Sequence, residues 1–471
     1  YRDMKGVEDY WSYTAQNIGN AGTGYINNAT GNLTLAISTL ATTDALFGYA
    51  PTLVYNSSIA NKVYTNANEN ANVPYTQTQA GYGFKLSTQE SIVKCNYPYG
   101  SNSTRTYYIW ADSDGTEHAF YPDDNNAGLF YDEDGLGLKL TTESDIETGT
   151  VTVTITDRSY NQKIFTAYNG GWVMSSIRDT SGNELVFTLD ANARVTKISV
   201  KPNGLSAIDF LTFTYELIES NETDESNELS IEKIRIENSS AKRAVIFNYS
   251  SNYLTQVEYA HITTSGDVVD YSASYEYDSD GNIVKARDNT SLYEVNYTYT
   301  NKKVTVVTEK GGTTFGTSGQ TVGISYNGSQ TEVRSSGKDD IYNTTDDLLT
   351  KYVFDYAGRT ITAYSTDLNG TTIYGASAGE YVSDNELAEN HIKTSATVSD
   401  VTANYITNGG FELSGNNFPN YWTFNNNGYS SVSILEGTNT KFGTNELRFD
   451  ISGEGSSEIY QNIFSRTAPS I

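Results

Sequence analysis

Cysteine, histidine and proline are nearly missing from this chain, and each shortage closes off a class of answer. A single cysteine, Cys95, in 471 residues excludes an internal disulfide, and three scattered histidines cannot build a histidine-rich metal centre. Cysteine poverty fits a reducing compartment and equally a bacterial surface protein that does without disulfides. Basic side chains are scarce too. Lys and Arg number 30 against 57 Asp and Glu, a net charge of −27, which argues against binding a nucleic-acid backbone. The same charge favours solubility and partners such as divalent cations. No apolar run approaches the ~18 residues of a membrane span. The chain starts at Tyr1, with neither methionine nor a signal-like apolar stretch, and so reads as a piece of something longer. Few stretches repeat apolar residues with a 3.6-residue period, so helix should be scarce.

What is abundant is tyrosine, with 38 residues, and glycine, with 39, against only 7 prolines. A disordered chain would be poor in aromatics, so this composition fits many short strands joined by tight turns. Residues 271–308 show the plan. Tyr271, Ala273, Tyr275 and Tyr277 fall on one face of an extended strand, and Ser272, Ser274 and Glu276 on the other. Asp278-Ser279-Asp280-Gly281 turns the chain, because glycine accepts positive φ and Asp bonds its own backbone further on. Tyr293, Val295, Tyr297 and Tyr299 repeat the apolar face, and Asn301-Lys302 makes one more turn. The reading is a β-meander whose hairpins must stack on neighbours to bury their faces.

Degenerate copies occur elsewhere. Asp179 to Gly182 opens one turn and Phe354-Asp355 with Gly358-Arg359 another, giving the turn residues Asp179, Gly182, Asp278, Gly281, Asp355 and Gly358. At Leu189-Asp190, Leu and Ala193 replace the aromatic and the glycine, which points to a different turn type. The shared form, aromatic-Asp, two residues, Gly and a β-branched return strand, resembles the YD repeat of the RHS family. Residues 9–58, with a Tyr-Trp-x-Tyr, a Gly-Tyr-x-Asn and a Thr-Gly-Asn-Leu, resemble the entry segment of Gram-positive wall-associated members. Gly81 to Leu86 and residues 107–121 continue that likeness, which covers most of residues 8–365. The resemblance implies a long sheet spiralling into a hollow shell around a C-terminal toxin or other passenger. A chain of this length should give part of a shell, an open arc with a tyrosine-lined inner face.

Several stretches invite chemistry. Asp339, Asp340, Asp346 and Asp347 crowd four carboxylates around an Asn-Thr-Thr turn, a hard oxygen set that suits calcium, or else a plain exposed acidic turn. Asp112/Asp114 and Asp278/Asp280 pose the same question more weakly, and their turn role accounts for them. Gly375 to Gly379 matches Gly-x-Ser-x-Gly, but in an all-β context with only His391 downstream it reads as a small-residue linker. Lys310 to Gly319 is Gly-rich without the ending a phosphate loop needs. Residues 62–79 and 219–228 read as surface loops, and 384–390 as one short helix. After residue 404, Asn408 to Glu412, Pro419 and Trp422 resemble the start of a galactose-binding-like jelly roll, a carbohydrate-binding module, with residues 446–450 and 457–463 as its next strands. That resemblance implies Glu412 as a calcium ligand and Tyr421 and Trp422 as sugar contacts, Trp422 reading better as core.

The expected fold is all-β: an antiparallel meander of YD-repeat hairpins forming a curved sheet or partial hollow shell, followed by a partial β-sandwich (jelly roll). Its segments are 1–145 (entry), 146–375 (repeat sheet), 376–404 (linker) and 405–471 (partial jelly roll). The expected role is a non-enzymatic shell scaffold, secreted or cell wall-associated in a bacterium. Its partner would be a C-terminal passenger of the same polypeptide, with no nucleic acid, no membrane span and no cofactor beyond calcium. The alternative is a surface adhesion module holding cell-wall or host glycans through the jelly roll.

Overall fold

The computed structural model describes residues 4–42, 46–61, 80–99, 103–144, 151–219, 229–311, 319–337, 339, 341–370, 373–379, 381, 397–398 and short strands between 414 and 460. The chain divides into two compact units, 1–319 with 382–392, and 320–381 with 393–471. Among the described residues there is no α-helix and every ladder is antiparallel, as the alternation of apolar and polar residues leads one to expect.

The first unit opens with a five-stranded sheet in chain order: β1 (Tyr13–Asn17), β2 (Thr23–Asn27), β3 (Leu33–Ser38), β4 (Thr52–Asn56) and β5 (Phe84–Leu86). Its cross-strand partners sort into two faces. Ile26, Leu33, Leu35, Ile37, Leu53, Tyr55, Phe84 and Leu86 share one face and are all 1% exposed or less. Thr34, Asn56 and Lys85 lie on the other, and they are buried as well. Both faces of this sheet are therefore covered.

Eight further strands close on themselves: β6 (Ser91–Tyr99), β7 (Ser103–Ala111), β8 (Glu117–Pro122), β9 (Leu129–Asp132), β10 (Lys139–Ser144), β11 (Val151–Thr156), β12 (Gln162–Tyr168) and β13 (Gly171–Arg178). Each pairs with the next, and β13 returns to β6 through Trp172↔Ile92 and Val173↔Ser91. The meander thus goes further than an open arc. The ring is also where the sheet continues, because β13 serves two neighbours along one edge. Its first half pairs with β6, and its second half, Ser176 to Arg178, pairs with β14 (Glu184–Leu189). Between the halves the register against β12 shifts, leaving Ser175 as an extra residue whose hydroxyl donates to the Ile164 carbonyl at 3.1 Å. A bulge of this kind bends and twists its strand, which lets the halves aim at different partners. A sheet that closes and then steps past its own first strand is a spiral.

From β14 the strip runs hairpin by hairpin through β15 (Val195–Lys201), β16 (Ile208–Glu219), β17 (Leu229–Asn238), β18 (Arg243–Ser250), β19 (Tyr253–Thr263), β20 (Gly266–Tyr277), β21 (Ile283–Asp288), β22 (Tyr293–Thr300) and β23 (Lys303–Lys310). The second unit contains β24 (Thr321–Asn327), β25 (Gln330–Ser335), β26 (Leu348–Phe354), β27 (Thr360–Asp367), β28 (Ile373–Ala378) and β29 (Thr397–Val398), again paired in order. The expected linker from residue 376 therefore starts inside β28. After it come separate two-stranded ladders, the longest pairing Ser430–Glu436 with Asn445–Ile451. Among the described residues, the strands expected at 446–450 and 457–463 have counterparts at Asn445–Ile451 and Glu458–Tyr460, in two separate ladders.

One turn is built repeatedly. At Asp278 the N–H donates to the Asn282 carbonyl, and the Asp278 carbonyl accepts from the Gly281 N–H. One carboxylate oxygen accepts from the N–H groups of Asp280 and Asn282, and the other from the Asn282 side chain at 2.9 Å. Asp179 and Asp355 repeat this scheme, with Asn183 and Arg359 as the returning side chains. Asp190 does so too, with Ala193 at φ 57° and Arg194 returning to the carboxylate, so this is the same turn and not another type. Asp157 adds a copy with Tyr160 at φ 65°. Five backbone and side-chain bonds to a single aspartate stabilise the loop enough to hold a non-glycine residue in the left-handed region, at a cost of roughly 1–2 kcal/mol.

Candidate functional site: a tyrosine-faced wall and the segment it holds

The tyrosines of β18 to β22 do not face an open volume. The apolar side of the N-terminal sheet lies against them. Tyr259 donates to the carbonyls of Asn20 and Ser38 at 3.1 and 3.0 Å, and Tyr275 to that of Ala21 at 3.0 Å. Tyr55 of the sheet reaches the other way: its hydroxyl donates to the Gly281 carbonyl at 3.3 Å and accepts from the Ile283 N–H at 3.2 Å. Asp288 accepts from the N–H and side-chain amide of Asn20 at 3.1 and 3.0 Å. Tyr82 donates its N–H to the Asn252 carbonyl at 2.8 Å, and its ring meets Tyr253 edge-on. Tyr271, expected on the same face, pairs with Tyr259 in the middle of β20 and is 50% exposed.

Tyrosine rather than phenylalanine suits this surface because the N-terminal sheet brings turn carbonyls that need donors once buried. Burial raises the phenol pKa of Tyr55, Tyr249, Tyr275 and Tyr297 well above the ordinary value. The hydroxyls are not equivalent, however. Those of Tyr249 and Tyr297 are buried with no hydrogen-bond partner among the described residues, and Tyr297 lies where a Cβ on Gly24 would come within 2.3 Å of its oxygen. Tyr297→Phe should therefore be neutral or stabilising by about 1 kcal/mol, whereas Tyr275→Phe should cost about 1 kcal/mol by orphaning the Ala21 carbonyl. Urea melts of the two variants measure the difference, and equal effects would mean the hydroxyls are equally solvated.

The polar side of the N-terminal sheet is held by a second assembly. The chain before β1 runs between Asn56 and the turn joining β7 to β8. Gly6 N–H donates to Asn56 Oδ1 at 2.8 Å, Val7 N–H to Asp114 Oδ2 at 2.9 Å, and Thr116 Oγ1 to the Lys5 carbonyl at 2.9 Å. Lys5 Nζ pairs with Glu117 at 3.1 Å, the two side chains being 3% and 1% exposed. At the centre lies His118, 1% exposed and tilted over Trp110 at 5.0 Å between centroids. Its Nδ1 is 2.6 Å from Asp134 Oδ2, and its Nε2 is 3.4 Å from Glu8 Oε1 and 3.7 Å from Asp112 Oδ2. Burial opposes charge on this ring, but Asp112, Asp134 and Glu8 outweigh it and hold the imidazole well above its usual value. Burial raises Glu8, and it raises Asp114 with help from Asp112. Asp112 is held low against burial by His118 and Lys85. Lys163 bonds both oxygens of Glu90 at 2.7 and 2.9 Å and lies over the Trp110 ring. The chain thus brings one histidine together with carboxylates from three places, a set with no local spacing signal beyond Asp112 and His118.

The residues singled out from sequence are dispersed. Asp179, Gly182, Asp278, Gly281, Asp355 and Gly358 all sit in the turns described above. Asp339, Asp346 and Asp347 meet around Thr344, whose hydroxyl lies 3.4, 2.6 and 3.2 Å from their carboxylates. Asp346 and Asp347, with Asp367 and Tyr374, line a cavity of about 630 Å³. Asp347 is buried and accepts from Arg334 Nε at 2.7 Å; burial works against its charge, yet Arg334 and the Asn343 and Thr344 N–H groups hold its pKa below the ordinary value. Asp340, Glu412, Tyr421 and Trp422 lie outside the described residues, as do His391 and residues 62–79, 220–228, 312–318 and 384–390. Ser377 is paired within β28, against Ala363 on one side and Thr397 on the other, so it sits on no strand-to-helix elbow.

No family model and no curated protein matches the chain. Among solved structures, the N-terminal domain of the effector SpvB from Salmonella typhimurium aligns at 11% identity and TM-score 0.28, covering 56% of this chain and 99% of that one. The Photorhabdus luminescens Tc holotoxin pore aligns at 11% identity and TM-score 0.25, covering 77% of this chain and 21% of that one. A porin-like protein from Bacteroides uniformis aligns at 12% identity and TM-score 0.21, covering 47% and 94%. At these scores the superpositions carry no argument about family or function.

Proposed function

We propose that this chain is a non-enzymatic β-shell scaffold of the RHS/YD-repeat kind, secreted or displayed by a bacterium, which encloses or presents a passenger encoded after it. The observation that carries this reading is the split edge of β13, where a closed ring becomes a continuing strip. A sheet built that way lengthens by adding hairpins and wraps volume as it grows. The five-fold recurrence of the Asp turn supports it, since each copy adds a hairpin by the same local chemistry. The position of Ser377, paired on both sides within β28, fits a chain without a nucleophile elbow. The wall already holds one segment of its own polypeptide, the N-terminal sheet, by tyrosine-to-backbone bonds that need no particular side chain opposite. Such bonds suit a surface meant to hold chain of varied sequence.

The test reads the coding sequence on past Ile471 and expresses the encoded product whole. Under limited proteolysis the downstream segment should stay intact in the whole product and be digested when made alone. Equal digestion in both settings, or a glycan-array signal lost on Trp422→Ala, overturns enclosure, the second outcome in favour of adhesion.

A further inference from the structure

The His118 cluster carries more than a structural lock. In Asp112 the two carboxylate oxygens have separate duties: Oδ1 accepts from the N–H groups of Asp114, Gly115 and Thr116 at 2.9–3.1 Å, leaving Oδ2 to face His118. On the far side of the ring, Asp134 sits 2.6 Å from Nδ1, which holds a proton there and aims Nε2 toward Glu8 and Asp112. A carboxylate behind a histidine is how metal-binding imidazoles are oriented.

The distances on the Nε2 side are the telling ones. Hydrogen bonds between nitrogen and oxygen usually measure about 2.7–3.2 Å, and both contacts here are longer, at 3.4 and 3.7 Å. Tetrahedral ligands bonded at about 2.0–2.2 Å are separated from one another by roughly 3.3–3.6 Å. That range takes in the Glu8 contact at 3.4 Å and stops just short of the Asp112 contact at 3.7 Å. The three donor atoms all lie within 4.8 Å of one another.

The geometry points to a divalent-metal site of the zinc type on His118 Nε2, Glu8 and Asp112, with Asp134 as the positioning residue and a fourth position open. The donor set of one imidazole and two carboxylates suits zinc better than calcium, which takes six to eight oxygens. Binding exchanges the Nε2 proton for the metal and releases that proton to solvent. Because Glu8 belongs to the segment before β1 and the other two ligands to the β7–β8 region, the ion would pin the chain start onto the ring. This site stands independently of the shell reading, and its failure would leave that reading untouched.

The test takes the full chain, strips it with a chelator and titrates it with Zn²⁺ alone by calorimetry. One ion per chain is expected, with Co²⁺ giving the visible absorption of a tetrahedral site. Glu8→Gln should weaken binding at least about tenfold, and Asp134→Asn about 10–100-fold through ring orientation. Both variants leave the ring in place, and melting of the metal-free forms checks that they fold as the parent does. Zn²⁺ should also slow proteolytic trimming ahead of Tyr13 in the parent and not in Glu8→Gln. Absence of stoichiometric binding, affinity unchanged in both variants, or Ca²⁺ displacing Zn²⁺ at equal concentration overturns the assignment.

Discussion

Raised through about pH 10, this protein should hold its fold while its exposed tyrosines ionise, then unfold steeply within one to three further pH units. Tyr55, Tyr249, Tyr275 and Tyr297 are each at most 7% exposed, and burial lifts their phenols well above the ordinary value. An unfolded chain releases those protons near pH 10 while the native one keeps them, so above that value the native state binds more protons and loses stability as pH climbs. Below pH 10 the contribution is complete. Each such group is worth about 1.4 kcal/mol per pH unit, so four of them remove roughly 5 kcal/mol per unit. Against a typical domain stability of about 5–15 kcal/mol, that is decisive. Phenolate absorbance should therefore rise in two phases, the second coinciding with loss of the β-sheet circular dichroism. Tyr297→Phe, which removes one titrating ring, should shift the second phase to higher pH. A single smooth titration near pH 10 with the sheet intact would mean that the N-terminal sheet does not cover the wall.

Gly81→Ala should be among the most damaging single-methyl changes in the first unit. Gly81 has φ +87°, and a Cβ there would come 2.5 Å from the Asn252 carbonyl oxygen and 2.8 Å from the Tyr249 ring. The Asn252 carbonyl is backbone and accepts the Tyr82 N–H at 2.8 Å, so relief of the clash breaks that bond as well. Gly204 and Gly266 provide the control. They have φ +71° and +119° with open space around them, so alanine there carries the conformational cost alone. That cost is about 1–2 kcal/mol, and Gly81→Ala should exceed it by at least about 2 kcal/mol. Denaturant midpoints of the three variants read the difference directly. Equal losses would show that the Gly81 contact with the β18–β19 hairpin is not made.

The parts legible in the sequence are those whose signal is local. Alternation around Tyr275, the glycine turns at Gly182, Gly281 and Gly358, and the strand around residues 446–450 all follow from spacing of a few residues. The turn at Ala193 misleads because glycine is not the signal that defines it. The deeper one is an Asp whose fourth following residue is Asn or Arg, since that side chain returns to the carboxylate, and by this criterion Asp157 to Asn161 is visible too. Asp112 reads correctly as a turn residue, but only one of its oxygens is used there. What covers the tyrosine face is not legible at all. Tyr275 bonds a carbonyl 254 residues earlier, and nothing near either residue announces the other. Glu8, Asp134 and His118 are equally remote, so a scarcity of histidine argued against a histidine-rich centre without excluding a site built on one.

That long reach has a consequence during synthesis. The N-terminal sheet emerges from the ribosome with an apolar face whose cover is translated some 254 residues later. At about 5–20 residues per second the wait is roughly 10–50 s, long compared with the microseconds in which a hairpin forms. During that interval the nascent sheet is a natural client for a chaperone, and slowed translation between residues 86 and 300 should raise its losses to aggregation.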